Sequence, residues 1–264
     1  MVYFVGAGPG AADLITVRGL RLLEKADVVI YAGSLVNREL LEYCRKDCRI
    51  YDSSKMELGG ILEVIRQAHE QGLMTVRFAS GDPSIYGAIH EMGAALEDMG
   101  IGYEVCPGVS SFLAASAALK REYMIPGLSQ SLVITRVGGR TQVPESERLS
   151  VYAATGCSLA IFLSTSLLES VRDELLAGGY KEEDKAALVY RVSREDERVI
   201  YCSIGELPER ARGEGIFNTA LVIAGPVLSD ARGRSKLYDA HFETLFRSAT
   251  DQVDGDGRNL FSES

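Results

Sequence analysis

Through the first half of the chain, short runs of β-branched and aromatic residues alternate with longer amphipathic stretches. This alternation restricts the fold more than any other feature. Residues 2–5, 27–31, 48–51, 74–78 and 102–106 read as strands, with helices expected between them at 14–25, 37–44, 57–71 and 84–99. Strand–helix–strand units of this kind predict a largely parallel sheet covered by helices. Residues 121–127 interrupt the pattern and are the expected linker. Beyond it, strand-like runs at 131–135, 158–163, 186–190, 198–204 and 219–224 come with fewer helices, near 165–177 and 205–212. The second half is therefore expected to be a mixed sheet, with an antiparallel pair turning around 193–197. The fold class expected is α/β, as two α/β domains at 1–122 and 128–228. A polar tail follows at 229–264, in which Leu237, Tyr238, Phe242, Leu245 and Phe246 stand at the spacing of a short amphipathic helix.

Composition narrows the partners. The 264 residues carry 37 acidic and 28 basic side chains, a formal charge of −9, which argues against general nucleic-acid binding. No apolar run is long enough to span a bilayer, and the first residues lack the basic region of a signal peptide. Five cysteines without a C-x-x-C pair argue against a disulfide framework and for a reducing compartment, the cytoplasm. The three histidines are scattered, so no metal site is expected.

Three loops at strand ends carry the chemistry. Gly6-Ala7-Gly8-Pro9-Gly10-Ala11-Ala12-Asp13 satisfies the dinucleotide pattern G-x-G-x-x-A, or else forms a tight strand-to-helix turn with Asp13 as N-cap. Pro9 has no N–H for a phosphate, and the second strand ends Ile30-Tyr31-Ala32-Gly33 without the acid that would hold a ribose. Ser80-Gly81-Asp82-Pro83-Ser84-Ile85-Tyr86-Gly87 reads as a helix start with Asp82 as cap and Pro83 in the first turn. Cys106-Pro107-Gly108-Val109-Ser110-Ser111 precedes an Ala-rich helix that Ser110 or Ser111 could cap. Three such loops at one sheet edge predict a ligand cleft. No nucleophilic triad is visible, and Lys55 and Arg77 read as solvated charges. Arg136 and Arg140 flank Gly138-Gly139, a flexible clamp for anionic groups or a plain solvent loop. These residues leave open a nicotinamide oxidoreductase and a non-catalytic binding module.

The opening VGAGPGAADLITVRGLRLLEKADVVIYAGSLV, followed by GDPSIYG and CPGVSS, resembles the tetrapyrrole methylase family of S-adenosylmethionine-dependent methyltransferases. The likeness runs from about residue 2 to residue 228. IYAGSLVN, IPGLSQSLVITRVGGRTQVPE and IFLSTS are most similar to the branch that methylates C-11 of precorrin-4 or cobalt-precorrin-4 in cobalamin synthesis. Another corrinoid methyltransferase, acting at a different ring carbon, is the alternative within the family.

The resemblance implies two α/β domains with S-adenosylmethionine folded in the cleft between them, a tetrapyrrole substrate, S-adenosylhomocysteine as product and a homodimer. By position it places Pro9 in the loop facing the substrate trough, and Ser80, Gly81, Asp82, Ile85, Ser110 and Ser111 along the methionine and ribose side. Phe162 and Leu163 would meet the adenine, with Val192, Thr219 and Ala220 completing its pocket. Several relatives carry glycine where this chain has Val192. The acid that many relatives carry near Gly33 is missing, leaving Tyr31 and Ser34 as candidates for proton transfer. Arg136, Arg140 and Arg121 are the candidate partners of the substrate carboxylates.

Overall fold

The computed structural model describes residues 1–33 and 35–231, together with 235, 239, 242, 243, 245 and 246. Ser34 and half of the helix expected over 237–246 lie outside the described residues. The first half forms β1 (Val2–Gly6), α1 (Val17–Leu23), β2 (Val28–Tyr31), β3 (Arg49–Asp52), α2 (Leu58–Glu70), β4 (Thr75–Ala79), α3 (Ile89–Asp98), β5 (Tyr103–Cys106) and α4 (Ser111–Leu119). Its five strands make one parallel sheet in the order β3-β2-β4-β1-β5. Alternation along the strands fills both faces. Val5, Val29, Tyr31, Val76 and Phe78 form one core with Leu23 and Leu40, while Val2, Phe4, Val28 and Ile30 form another with Ile61 and Ile65 of α2 and Leu96 of α3.

The second half holds β6 (Leu132–Thr135), α5 (Leu149–Ala153), β7 (Ser158–Ile161), α6 (Leu168–Ala177), β8 (Lys185–Tyr190), β9 (Arg198–Ser203), α7 (Leu207–Gly213) and β10 (Ala220–Ala224). The sheet order is β6-β7-β10-β8-β9; β6 and β7 are parallel and every other pair is antiparallel. The hairpin expected around 193–197 is the β8–β9 connection. Helices α5, α6 and α7 cover one face, with Leu149, Val171, Leu175 and Leu207 against Leu159, Ile161 and Leu188. The other face, built from Ala160, Ala187, Val189, Leu221 and Ile223, receives Ala114, Ala115 and Leu119 of α4. The expected linker is anchored rather than loose. Tyr123 is buried, its hydroxyl donates to the Phe112 carbonyl (2.7 Å), and its own carbonyl accepts from the Ser158 hydroxyl (2.8 Å).

Several local expectations need correction. The helix expected from residue 14 starts at Val17, where the Thr16 hydroxyl accepts from Gly19 N; Asp13 sits inside a three-residue 3-10 turn and caps nothing. The stretch 37–44 is a 3-10 helix, Arg38–Tyr43, rather than an α-helix. The helix expected from residue 84 begins at Ile89, because Tyr86 and Ala88 both adopt left-handed backbone conformations (φ 55° each). No helix among the described residues is long and apolar enough to cross a membrane.

Candidate functional site

A cleft of about 350 Å³ lies where the carboxyl ends of β1, β4 and β5 meet the loops after β7 and β8 and before β10. This is the edge at which open parallel sheets bind ligands. All twelve residues expected to hold a cofactor line it: Pro9, Ser80, Gly81, Asp82, Ile85, Ser110, Ser111, Phe162, Leu163, Val192, Thr219 and Ala220.

The first wall is built by loops that bond to each other. Gly8 N donates to Gly81 O (3.2 Å) and Gly81 N to Gly8 O (2.8 Å), so the two strand-end loops form a small antiparallel bridge. The Gly8 amide is thereby engaged, and no α-helix starts until Val17. The phosphate site of a dinucleotide fold, a glycine loop opening directly into a helix, is therefore absent here. Asp82 does not cap a helix. One carboxylate oxygen accepts from Ser84 N (2.8 Å) and from the Ser84 hydroxyl, and the other accepts from Gly108 N (2.7 Å), tying the second loop to the third. Partial burial works against its ionisation, but the Ser84 hydroxyl and the amides of Gly108 and Ser84 outweigh it and hold the carboxyl below its ordinary range. Ser110 stands at the N-cap of α4 without a side-chain capping bond, so its buried hydroxyl is not committed to the helix.

The second wall is apolar. Phe162, Leu163, Val189, Val192, Ala220 and Leu221 face the cleft, and Thr165 closes it at the back, its hydroxyl donating to Ala220 O (2.9 Å). Leu163 is 62% exposed and holds a left-handed conformation (φ 51°), as do Arg191 and Thr219. Strained non-glycine backbone gathered at one cleft is a mark of function. The two walls meet at Tyr86, whose ring lies 5.6 Å from that of Phe162. Burial pushes the Tyr86 phenol up, with the Arg136 charge partly opposing it.

Other expected residues fall differently. Tyr31 is excluded from the cleft: it shares the inward face of β2 with Val29 and is buried in the core beside Leu40. Arg121 is also displaced, on a separate hollow, where it donates to the Ser229 carbonyl (2.8 Å) and pairs with Asp230. Arg136 donates to the carbonyls of Thr141 (3.1 Å) and Gln142 (2.9 Å), so its fork is occupied in shaping the Gly138-Gly139 loop. Arg140 is exposed on that loop. Sequence reasoning missed Arg77, Tyr86, Arg191 and Arg194, all of which line the cleft. Tyr86 stands inside the GDPSIYG motif, but nothing local marks the three arginines, since their neighbours there come from distant loops.

Comparison with known proteins agrees with this architecture. The family model for tetrapyrrole (corrin/porphyrin) methylases matches residues 1–208. A cobalt-precorrin-4 C(11)-methyltransferase of Methanocaldococcus jannaschii is 47% identical over 94% of this chain and 96% of its own length. A precorrin-4 C(11)-methyltransferase of a Sinorhizobium species is 45% identical over 93% and 98%. Among solved structures, a cobalt precorrin-4 methyltransferase, CbiF, superposes with a TM-score of 0.84 at 38% identity, covering 86% of this chain and 95% of that one. A uroporphyrin-III C-methyl transferase of Thermus thermophilus, complexed with S-adenyl homocysteine, superposes with a TM-score of 0.71 at 27% identity, over 86% and 92%.

Proposed function

The chain belongs to the tetrapyrrole (corrin/porphyrin) methylases, and from that premise we propose that it transfers the methyl group of S-adenosylmethionine to C-11 of precorrin-4 or cobalt-precorrin-4 in cobalamin biosynthesis. The observation that carries this reading is the likeness, over nearly the whole chain, to relatives that bear that C(11) activity. The chain acts as a homodimer in the cytoplasm, with its halves at 1–122 and 128–228 and the methyl donor between them.

The cleft suits the donor on physical grounds. Its volume falls within the range for small-molecule sites, about 300–1,000 Å³. One wall is aromatic and aliphatic, as a nucleobase requires, and the other offers the hydroxyls of Ser80, Ser110 and Ser111 beside Gly81, as a ribose and an amino acid require. Phe162, Leu163, Val192, Thr219 and Ala220 hold the adenine, and Ser80, Gly81, Asp82, Ile85, Ser110 and Ser111 hold the opposite end. Pro9 faces the macrocycle, and Arg140 and the Arg136-braced loop receive its carboxylates.

When bound, the donor supplies an electrophilic methyl on a sulfonium. The chain's task is to hold that methyl in line with a pyrrolic carbon and to exclude water. Alignment of this kind is worth up to about 7–11 kcal/mol of barrier. Asp82 is the one acid among the described cleft-lining residues, and both its oxygens are engaged within the protein, so it serves as an architectural group and not as a base.

The test is direct. Incubation with the donor and precorrin-4, or its cobalt form, is expected to add one methyl by mass, located at C-11 by carbon NMR. A methyl at another ring carbon, or tight nicotinamide binding without binding of S-adenosylhomocysteine, overturns the reading.

A further inference from the structure

Three guanidinium groups line the cleft, and their surroundings differ. Arg191 is ion-paired, its Nε 2.9 Å from Asp196 Oδ1 although without hydrogen-bond geometry. Arg194 donates to the Leu35 carbonyl. Arg77 is mostly buried on β4, the central strand of the first sheet, and no ion pair engages it among the described residues. Its Nη1 donates to the carbonyls of Ile30 (3.2 Å) and Phe78 (3.4 Å), and its Nε is buried with no hydrogen-bond partner. Burial pushes its pKa down, with no acidic neighbour to oppose it. A buried cation held only by carbonyl dipoles is an incomplete arrangement. Asp82 cannot complete it, since its oxygens are spent on Ser84 and Gly108. The open side of this group is the cleft.

We propose that Arg77 is a positioning residue that receives a carboxylate of the macrocycle at the floor of the cleft. The proposal rests on the reading of the chain as a tetrapyrrole methylase. A planar guanidinium matches the two oxygens of a carboxylate and gains a charge-assisted bond where water is scarce. Placement favours the macrocycle over the methionine carboxylate of the donor. Arg77 leans toward β2, where its Nη1 meets Ile30 O, and its neighbours along the cleft include Ala32 and Leu35 of the loop after β2. Ser110 and Ser111 follow β5, on the other side of β4 in the sheet order. One of the carboxylates therefore fixes the ring's orientation from the β2 side and contributes to the choice of ring carbon presented to the methyl.

The variants are Arg77→Met, which keeps an unbranched chain without the charge, and Arg77→Lys, which keeps the charge without the fork. In a folded Arg77→Met protein, KM for the macrocycle is expected to rise about tenfold or more, the scale of a lost hydrogen bond to a charged group. Affinity for S-adenosylhomocysteine should stay within about twofold, the precision of the titration. Arg77→Lys should recover part of the macrocycle KM. An unchanged macrocycle KM in folded Arg77→Met overturns the proposal, and a lowered melting temperature alone would identify a mere staple between β2 and β4. Loss of S-adenosylhomocysteine affinity in step with the macrocycle KM would assign the carboxylate to the donor and also overturn it. Should Arg77→Met fail to fold, the wild type decides. The Arg77 Nε–H resonance in nitrogen-15-labelled protein, assigned through Arg77→Lys, should shift with macrocycle and stay put with S-adenosylhomocysteine; no shift with macrocycle refutes the idea. If the wild type methylates no tetrapyrrole at all, it is the functional reading that fails.

Discussion

At the ends of β1 and β4 and just after β5, Gly6, Gly81 and Gly108 lie against one another, backbone on backbone. A Cβ on Gly108 would stand 2.2 Å from Gly81 O and 2.7 Å from Gly6 Cα; one on Gly6 would stand 2.5 Å from Gly108 Cα. These neighbours are main-chain atoms, so no rotamer change relieves the clash. The glycines thus allow three loops to converge, and the cleft owes its shape to them. Gly108→Ala should cost about 1–3 kcal/mol, the usual penalty of overpacking, read by chemical denaturation. Because Gly108 N also donates to Asp82, affinity for S-adenosylhomocysteine should fall with it. Gly59 in α2 has open space where a methyl would stand and is the control: Gly59→Ala should stabilise by about 0.4–1 kcal/mol. Equal behaviour of the two variants would contradict the packing argument.

Between β8 and β9, residues 191–197 form a braced turn that reaches back to the first half. Inside it, Ser193 N donates to the Glu197 carboxylate (2.6 Å) and Arg191 pairs with Asp196. Outward, the Ser193 hydroxyl accepts from Ala11 N (2.9 Å) and Arg194 donates to Leu35 O, so one hairpin touches the loops after both β1 and β2. Ser193→Ala would leave the Ala11 amide without this acceptor, at a cost of about 1 kcal/mol. Hydrogen exchange should quicken at Ala11 and stay unchanged at Gly8, whose partner is Gly81; unaltered exchange at Ala11 would show that the turn does not hold the glycine loop. Elements of this kind separate what was legible in the sequence from what was not. Strands such as 2–5 and 158–163 were legible because short apolar runs report burial locally, and the observed β1 and β7 differ by one or two residues at their ends. Asp82-Pro83-Ser84 has the local pattern of a helix start, yet its outcome is decided by Gly108, 26 residues away. The cofactor-side residues that the family motifs single out all line one cleft. Arg77, by contrast, reads as an ordinary surface charge because both carbonyls it meets and the cleft it faces are products of the tertiary fold.

At the scale of the whole molecule, α4 joins the two sheets. It follows β5 directly and presents Ser110 and Ser111 to the cleft at its start, while its side chains Ala114, Ala115 and Leu119 are buried in the core of the second sheet. Its alanines let the helix lie close to Ala160 and Ala187, so the helix that leaves the first sheet is part of the second half's packing. Tyr123 extends the joint, bonded to α4 through Phe112 and to β7 through Ser158. Neither half can therefore lose its structure without exposing apolar surface of the other. Heating should give a single calorimetric transition, with the van't Hoff enthalpy close to the calorimetric one. With S-adenosylhomocysteine in the cleft between the halves, as proposed, a concentration of 100 times its Kd should add about 2.7 kcal/mol and move that transition as a unit. Two transitions, with the ligand raising one of them, would mean that α4 does not couple the halves and that the ligand's contacts lie within a single half.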